Sequence, residues 1–268
     1  MAQTPYNQLM FVLTSAVLLV IILADALPLL AQEPAAGPIT TDRPAITNAS
    51  MVVPSGDLQV ENGVLETRGQ GQSAIDAPET LVRFGVAKTT ELRIAIPDYL
   101  HNLTASDGSG SGIGDLVIGV KQQLGPTHGF DVSVIAFLSL PTGATGVSSG
   151  GYDPGLQVPW SRALSDNWTA AGMLSVYWPT QGRARNVTAE STFLLDRQLR
   201  KPWDAFAEYA GDFPEVGPPR HLLHVGTALK LGAQHQIDFH LGVGLSSAAV
   251  DHIIGVGYSV RWQATHRE

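Results

Sequence analysis

The chain has 268 residues, of which 44% are apolar and only 15% charged, with 28 Gly, 17 Pro and no Cys. That length suits one large domain or two small ones, and the charged fraction is well below the about 25% usual for a soluble protein. The composition excludes disulfide and thiolate chemistry, and a formal net charge of -8, from 24 acidic against 16 basic residues, argues against a nucleic-acid surface.

The only long apolar run, Leu9 to Ala24, ends in Ala24-Asp25-Ala26, a small-x-small pattern that suits signal peptidase. Its length, its position and the Pro/Ala-rich stretch behind it read as a secretory signal over residues 1–31, cleaved after Ala26 or Ala31, although no Lys or Arg precedes the run. A retained anchor is the alternative. No other segment has the 18 or more apolar residues of a spanning helix. Residues 32–56 hold no strand of adequate length. They read as a periplasmic leader or a partial plug, with Arg43 meeting a wall carboxylate as the candidate plug contact.

From residue 57 the apolar residues recur with period two, which predicts strands. About twelve are expected, over 57–68, 78–86, 91–98, 112–124, 129–140, 154–165, 167–178, 188–199, 202–213, 219–231, 234–246 and 251–262. The stretch from Gln236 to Leu245 is the clearest: Ile237, Phe239, Leu241 and Val243 share one face, Asp238 and His240 the other. Long links near 69–77, 99–111, 141–153 and 179–187 alternate with tight turns such as Lys88-Thr89-Thr90 and Gly232-Ala233. An even count with short turns at one end predicts an all-β, up-and-down antiparallel transmembrane β-barrel over 57–262, with periplasmic termini and a short tail at 263–268.

A soluble sandwich also alternates, so the two faces must decide. Ten residues at about 3.3 Å, tilted near 40°, span roughly the 25 Å of an apolar membrane band. Trp168 and Trp178 then fall in opposite aromatic girdles, with Trp262 a third girdle residue. The other face carries Glu61, Arg83, Arg93, Asp115, Lys121, Asp131, Asp204, Glu208, Lys230, Asp238, His240 and Arg261. Burying these in a dry core costs several kcal/mol each, whereas a hydrated bore removes that cost. Glycines at 63, 85, 119, 242, 244 and 257 on this face leave room beside the wall.

Several segments resemble a family of bacterial outer-membrane barrels named for the meta-pathway of phenol degradation and labelled as transporters. They include Thr41-Asp42-Arg43-Pro44, Gln59-Val60-Glu61-Asn62-Gly63, Gly112-Ile113-Gly114-Asp115-Leu116, Ser139-Leu140-Pro141-Thr142-Gly143, Phe206-Ala207-Glu208-Tyr209 and Gly255-Val256-Gly257-Tyr258-Ser259-Val260-Arg261-Trp262. Their order covers about residues 40 to 262. The resemblance implies a pore or transporter in the outer membrane, reached through the periplasm, with lipid, a small solute and the barrel assembly machinery as partners. It implies no enzyme and no cofactor. Barrels of this kind commonly end on the last aromatic, whereas here Gln263 to Glu268 follows Trp262.

The remaining motifs have plain readings. Gly146-Val147-Ser148-Ser149-Gly150 matches the letters of a nucleophile elbow but lies in a Gly/Ser/Thr-rich loop with a strand to follow. The run from Asp107 to Asp115 lacks the spacing of a calcium loop, and His221 with His224, or His235 with His240, makes no recognised metal set. The wall charges are the better candidates. Asp204, Glu208 and Asp212 lie on one side of one strand about 13 Å apart, and Lys230, Asp238 and His240 lie nearby. They form either a lumenal selectivity ladder or a salt-bridge network that fills the bore. A pore for small solutes, aromatic or hydrophobic by resemblance, is therefore expected, with a structural or adhesion barrel as the alternative. Substrate and oligomeric state are not determined by these residues.

Overall fold

The computed structural model describes residues 37–104 and 110–265. The expected signal lies outside the described residues. The strands run in chain order as β1 (Asp57–Gly69), β2 (Gln72–Ala77), β3 (Leu81–Ala87), β4 (Thr90–Ala95), β5 (Tyr99–Asn102) and β6 (Gly112–Ile113). They continue as β7 (Leu116–Thr127), β8 (Phe130–Leu140), β9 (Asp153–Ser165), β10 (Trp168–Tyr177), β11 (Thr180–Gln181) and β12 (Ala184–Arg185). The last are β13 (Thr188–Arg200), β14 (Trp203–Pro214), β15 (Arg220–Leu231), β16 (His235–Gly244) and β17 (His252–Gln263).

Twelve of these make the wall, each antiparallel to the next in the order β1, β3, β4, β7, β8, β9, β10, β13, β14, β15, β16, β17. Closure comes from β17 pairing back on β1, from Asp57↔Gln263 to Arg68↔His252. The barrel thus has no open edge, and the strands pair with one another around the whole wall, as a membrane-spanning sheet requires. Both ends of the barrel sequence lie at the end with the tight turns, the periplasmic end.

Side-chain burial decides between sandwich and membrane barrel. On β16 the ionisable residues are inside, with Asp238 1% and His240 6% exposed, while Ile237, Phe239, Leu241 and Val243 are 40–43% exposed or, for Phe239, 46%. A water-soluble sandwich has the opposite parity, because apolar area is driven inward. Leu92, Ile94, Ile118, Val120, Leu156, Val158, Phe193, Leu195, Ile254 and Val256 continue the exposed apolar band. The interior is not wholly polar: Ile135 and Met173 are each 1% exposed on the inner parity.

This parity carries a prediction. Phe239→Arg puts a guanidinium in the apolar band and should cost about 2 to 4 kcal/mol if it lies near the midplane, measured by urea titration of barrel refolded in lipid vesicles. Asp238→Asn, one residue away on the inner face, should cost clearly less. Equal losses would refute the partition of the strand between lipid and bore.

The expected long links need correction at one end. Residues 69–77 are a tight hairpin: Gln70 and Gly71 both have positive φ, 53° and 76°, and β2 pairs back along β1. The usual Asn or Asp at the first position of such a turn is replaced by Gln, which hid it. Within 99–111, β5 pairs with β2, and within 179–187, β11 and β12 form a small hairpin. At the periplasmic end, the turn expected over Gly125 to His128 is shifted to His128-Gly129, both at positive φ, because β7 runs on to Thr127 through a bulge at Gln123/Gly125.

Candidate functional site

Residues 37–56 form no regular strand, so their backbone N–H and C=O groups cannot satisfy one another along a ladder. They nevertheless lie inside the barrel, where Ile39, Asp42, Thr47, Ser50 and Val53 are buried. The wall side chains supply the missing partners. Carboxylates accept the N–H groups: Glu61 from Asp42 and Arg43 (both 3.0 Å), Glu208 from Ile46 (2.9 Å) and Thr47 (2.7 Å), and Glu91 from Val53 (2.7 Å). Donors take the carbonyls: Arg261 binds Gly37 O (2.7 Å), Gln59 binds Thr40 O (2.9 Å), Lys121 binds Ala49 O (2.9 Å) and Ser133 binds Ser50 O (2.7 Å). These partners sit on β17, β1, β14, β4, β7 and β8, and Asn48 adds Gln157 of β9 (2.9 Å). A segment bonded to the wall on all sides crosses the bore.

The inner glycines serve this segment. Gly63 and Gly257 face each other across β1 and β17, and a Cβ on either would occupy the space of the Arg43 guanidinium. A Cβ on Gly85 would meet the Val53 and Pro54 carbonyls. At these positions the room left beside the wall is filled by chain.

Two side-chain clusters hold the segment. In the first, Asp42 meets Arg93 (2.6 Å), Arg83 (3.3 Å) and Lys121 (3.3 Å), while Glu61 and Glu91 each lie 2.9 Å from Arg83, and Arg93 lies 2.9 Å from Glu91. Three carboxylates balance three cations in a site where Arg83, Glu61, Glu91 and Lys121 have no solvent exposure. Burial raises the Asp42 carboxyl, but Arg83, Arg93 and Lys121 outweigh it and hold it well below the usual carboxylate range. Burial likewise works against the Arg43 charge, and Asp238 and Glu79 overcome it, so its pKa is raised. In the second cluster, the Glu208 carboxylate also accepts from Thr47 Oγ1 (2.6 Å) and lies 2.8 Å from His224 Nδ1, whose Nε2 is 2.8 Å from His240 Nδ1.

The depressed Asp42 sets a pH dependence. A carboxyl whose docked pKa is lowered contributes stability above its free value of 3.8, and that contribution is lost as pH falls toward the docked pKa. The segment should therefore stay protected from protease between about pH 5 and 8, where a free aspartate is already ionised, and become progressively cleavable below its free value. Uniform protection down to the lowest pH at which the barrel stays folded would refute the contribution of Asp42.

The expected ladder residues do not form one continuous ladder. Asp204 pairs with Lys230 (2.7 Å) near the periplasmic end, and Asp212 pairs with Arg220 and accepts from Tyr177 Oη (3.2 Å) toward the other end. Glu208 is taken up by the segment and His224, Asp238 lies 3.5 Å from Arg43, and His240 meets His224. Arg43 also forms a 2.7 Å pair with Glu79. Trp168 opens β10 and is 41% exposed, Trp178 directly follows the last residue of β10 and is half-buried, and Trp262 is half-buried near the periplasmic end. Sequence reasoning missed Glu91, although it lies two residues before Arg93 and therefore shares its face, and it missed Asp42, which stands beside Arg43 in a motif already singled out.

The other motifs take structural places. Ser148 donates to Asp115 (3.0 Å) in the loop between β8 and β9, with no helix after it. His221 stacks on Tyr209 and His235 bonds Tyr258 Oη (2.7 Å). Among the described residues no group of three or more His, Cys, Asp or Glu is placed to hold a metal ion. A cavity of about 260 Å³ lies on the periplasmic side of the segment, beside Leu194, Asp196, Asp204, Phe206 and Lys230. A second, of about 660 Å³, lies at the far mouth beside Tyr177, Thr188 and Arg220.

A closed twelve-stranded wall with an apolar exterior and an ionisable interior defines a bacterial outer-membrane β-barrel. Residues 41–262 match the family described as "Putative MetA-pathway of phenol degradation", and the chain belongs to that family. In fold it is similar to an outer-membrane channel from Pseudomonas putida F1, at 12% identity and a TM-score of 0.59 over 82% of this chain and 100% of that one. It is also similar to the NanC porin (9% identity, TM-score 0.55, 76% and 98% covered) and the KdgM porin (10%, 0.54, 75% and 98%). No curated protein matches the sequence.

Proposed function

We propose that the protein is a gated outer-membrane pore for small solutes, with residues 37–56 as the gate. The observation that carries this reading is the division of labour in the hydrogen bonds. The wall ladder closes on itself from β1 to β17, while residues 37–53 are held to the wall through side-chain hydrogen bonds, and backbone-to-backbone bonds join the segment to the wall only at its attached end, as from Gly56 N–H to Gly85 O (2.8 Å). Withdrawal of the segment therefore leaves the barrel backbone intact. Cavities on both sides give a solute a place to wait, and the Phe206 and Leu194 lining of the periplasmic one beside Asp204 and Lys230 suits a small, partly apolar compound. The family name and the porin neighbours support the same reading.

Liposome swelling tests it. Vesicles carrying the mature chain should swell faster than empty ones in small aromatic solutes, and Glu208→Gln, which weakens the hold on Ile46 and Thr47, should speed swelling further. A wall that passes no solute in either form would leave a structural barrel whose bore is permanently filled.

A further inference from the structure

The bore and the outer wall treat their cations differently. Inside, Arg83, Arg93, Lys121 and Lys230 all have carboxylate partners. Outside, near the periplasmic end, Arg162 stacks on Phe130 (4.9 Å), Arg197 on Trp168 (5.2 Å) and Arg200 on Trp203 (5.3 Å). Among the described residues these three guanidiniums form no ion pair. A ring contact holds a guanidinium by its face and leaves the in-plane N–H fork free, and that fork matches the oxygens of a phosphate. Arg197 is the direct cross-strand partner of Trp168, and Arg200 of Trp203, so the three pairs share one sector of the wall from β8 to β14.

A groove begins at the last of these pairs. It has a volume of about 310 Å³, with Arg200 and Trp203 at its periplasmic end and Leu229, Ile237, Phe239 and Val256 along its length across β15, β16 and β17. Those four apolar side chains are 38–50% exposed. A cationic fork at the membrane interface heading an apolar trough has the chemistry of one lipid molecule lying against the wall. We propose that this groove binds an anionic phospholipid of the periplasmic leaflet, with its phosphate on Arg200 and one acyl chain along Leu229, Ile237, Phe239 and Val256. Trp203, whose indole Nε1 donates to Thr227 Oγ1, forms the floor at the headgroup. The site is independent of any gating in the bore.

The full mature chain in nonionic detergent micelles, titrated with brominated-chain phosphatidylglycerol and separately with brominated-chain phosphatidylcholine, tests this through tryptophan quenching. Phosphatidylglycerol should bind with about fivefold higher apparent affinity, the contribution of roughly one interfacial guanidinium. The difference should shrink below about twofold in Arg200→Gln and persist in Lys88→Gln, a change of charge in a periplasmic turn away from the groove. Trp203→Phe should remove the headgroup-dependent part of the quenching, which assigns it to this groove, and heat-modifiable gel migration confirms that each variant is folded. Equal affinity for the two lipids, an undiminished preference in Arg200→Gln, or displacement of the lipid by inorganic phosphate would each overturn the assignment.

Discussion

Deleting residues 37–53 should raise single-channel conductance in planar bilayers on the order of tenfold, since twelve strands enclose more than side chains alone can fill. The segment now consumes the inner carboxylates: Glu61, Glu91 and Glu208 all accept its N–H groups. Once it is gone those groups face water, and with Asp57, Glu79, Asp204, Asp212 and Asp238 they outnumber the remaining cations Arg83, Arg93, Lys121, Lys230, Arg220 and Arg261. The open form should accordingly prefer cations, most clearly at low salt, and lose that preference at 1 M, where the Debye length falls to about 3 Å. The barrel should still refold, because the ladder from β1 to β17 does not pass through the deleted residues. Unchanged conductance in a folded deletion variant would refute the gate.

Replacing Arg83 should be the most damaging single change to stability. Its guanidinium touches Asp42, Glu61 and Glu91 and has no exposure to solvent. Arg83→Met leaves three buried carboxylates to share Arg93 and Lys121, and breaking a buried pair in this way costs about 3 to 5 kcal/mol. Adding Glu61→Gln restores the balance of charge and should recover a large part of the loss. Urea titrations in vesicles measure both. A loss below about 1 kcal/mol, the range of solvent-exposed pairs, would mean that water screens the cluster.

The wall was legible from local pattern because the membrane acts on each residue in turn. Ile237, Phe239, Leu241 and Val243 had to alternate with Asp238 and His240 whatever the rest of the chain did, and Trp168 and Trp178 had to sit one strand length apart. Each of the twelve expected strands begins or ends within three residues of an observed one for this reason. The Gln70-Gly71 turn escaped notice because its backbone conformation is set by the pairing of β1 with β2 and not by a strong turn residue.

The interior obeys a different rule. Thr47 meets Glu208 across 161 residues of sequence, Arg43 meets Asp238 across 195, and Asp42 meets Lys121 across 79. Parity says only that such groups face inward, and many pairings of the same charges satisfy parity equally well. Closure of β17 on β1 brings one set within reach, and the segment, which has no period of its own, takes its course from the accepting carboxylates and the donating Arg261, Gln59, Lys121 and Ser133 that closure presents. The sequence by itself thus determined the barrel, its lipid face and its place in the outer membrane, since those follow from alternation against an apolar solvent. Only the tertiary structure decided that Asp204, Glu208, Asp212 and Asp238 are separately paired and that Asp42 and Arg43 span the bore, because those contacts depend on distances between strands that no local pattern records.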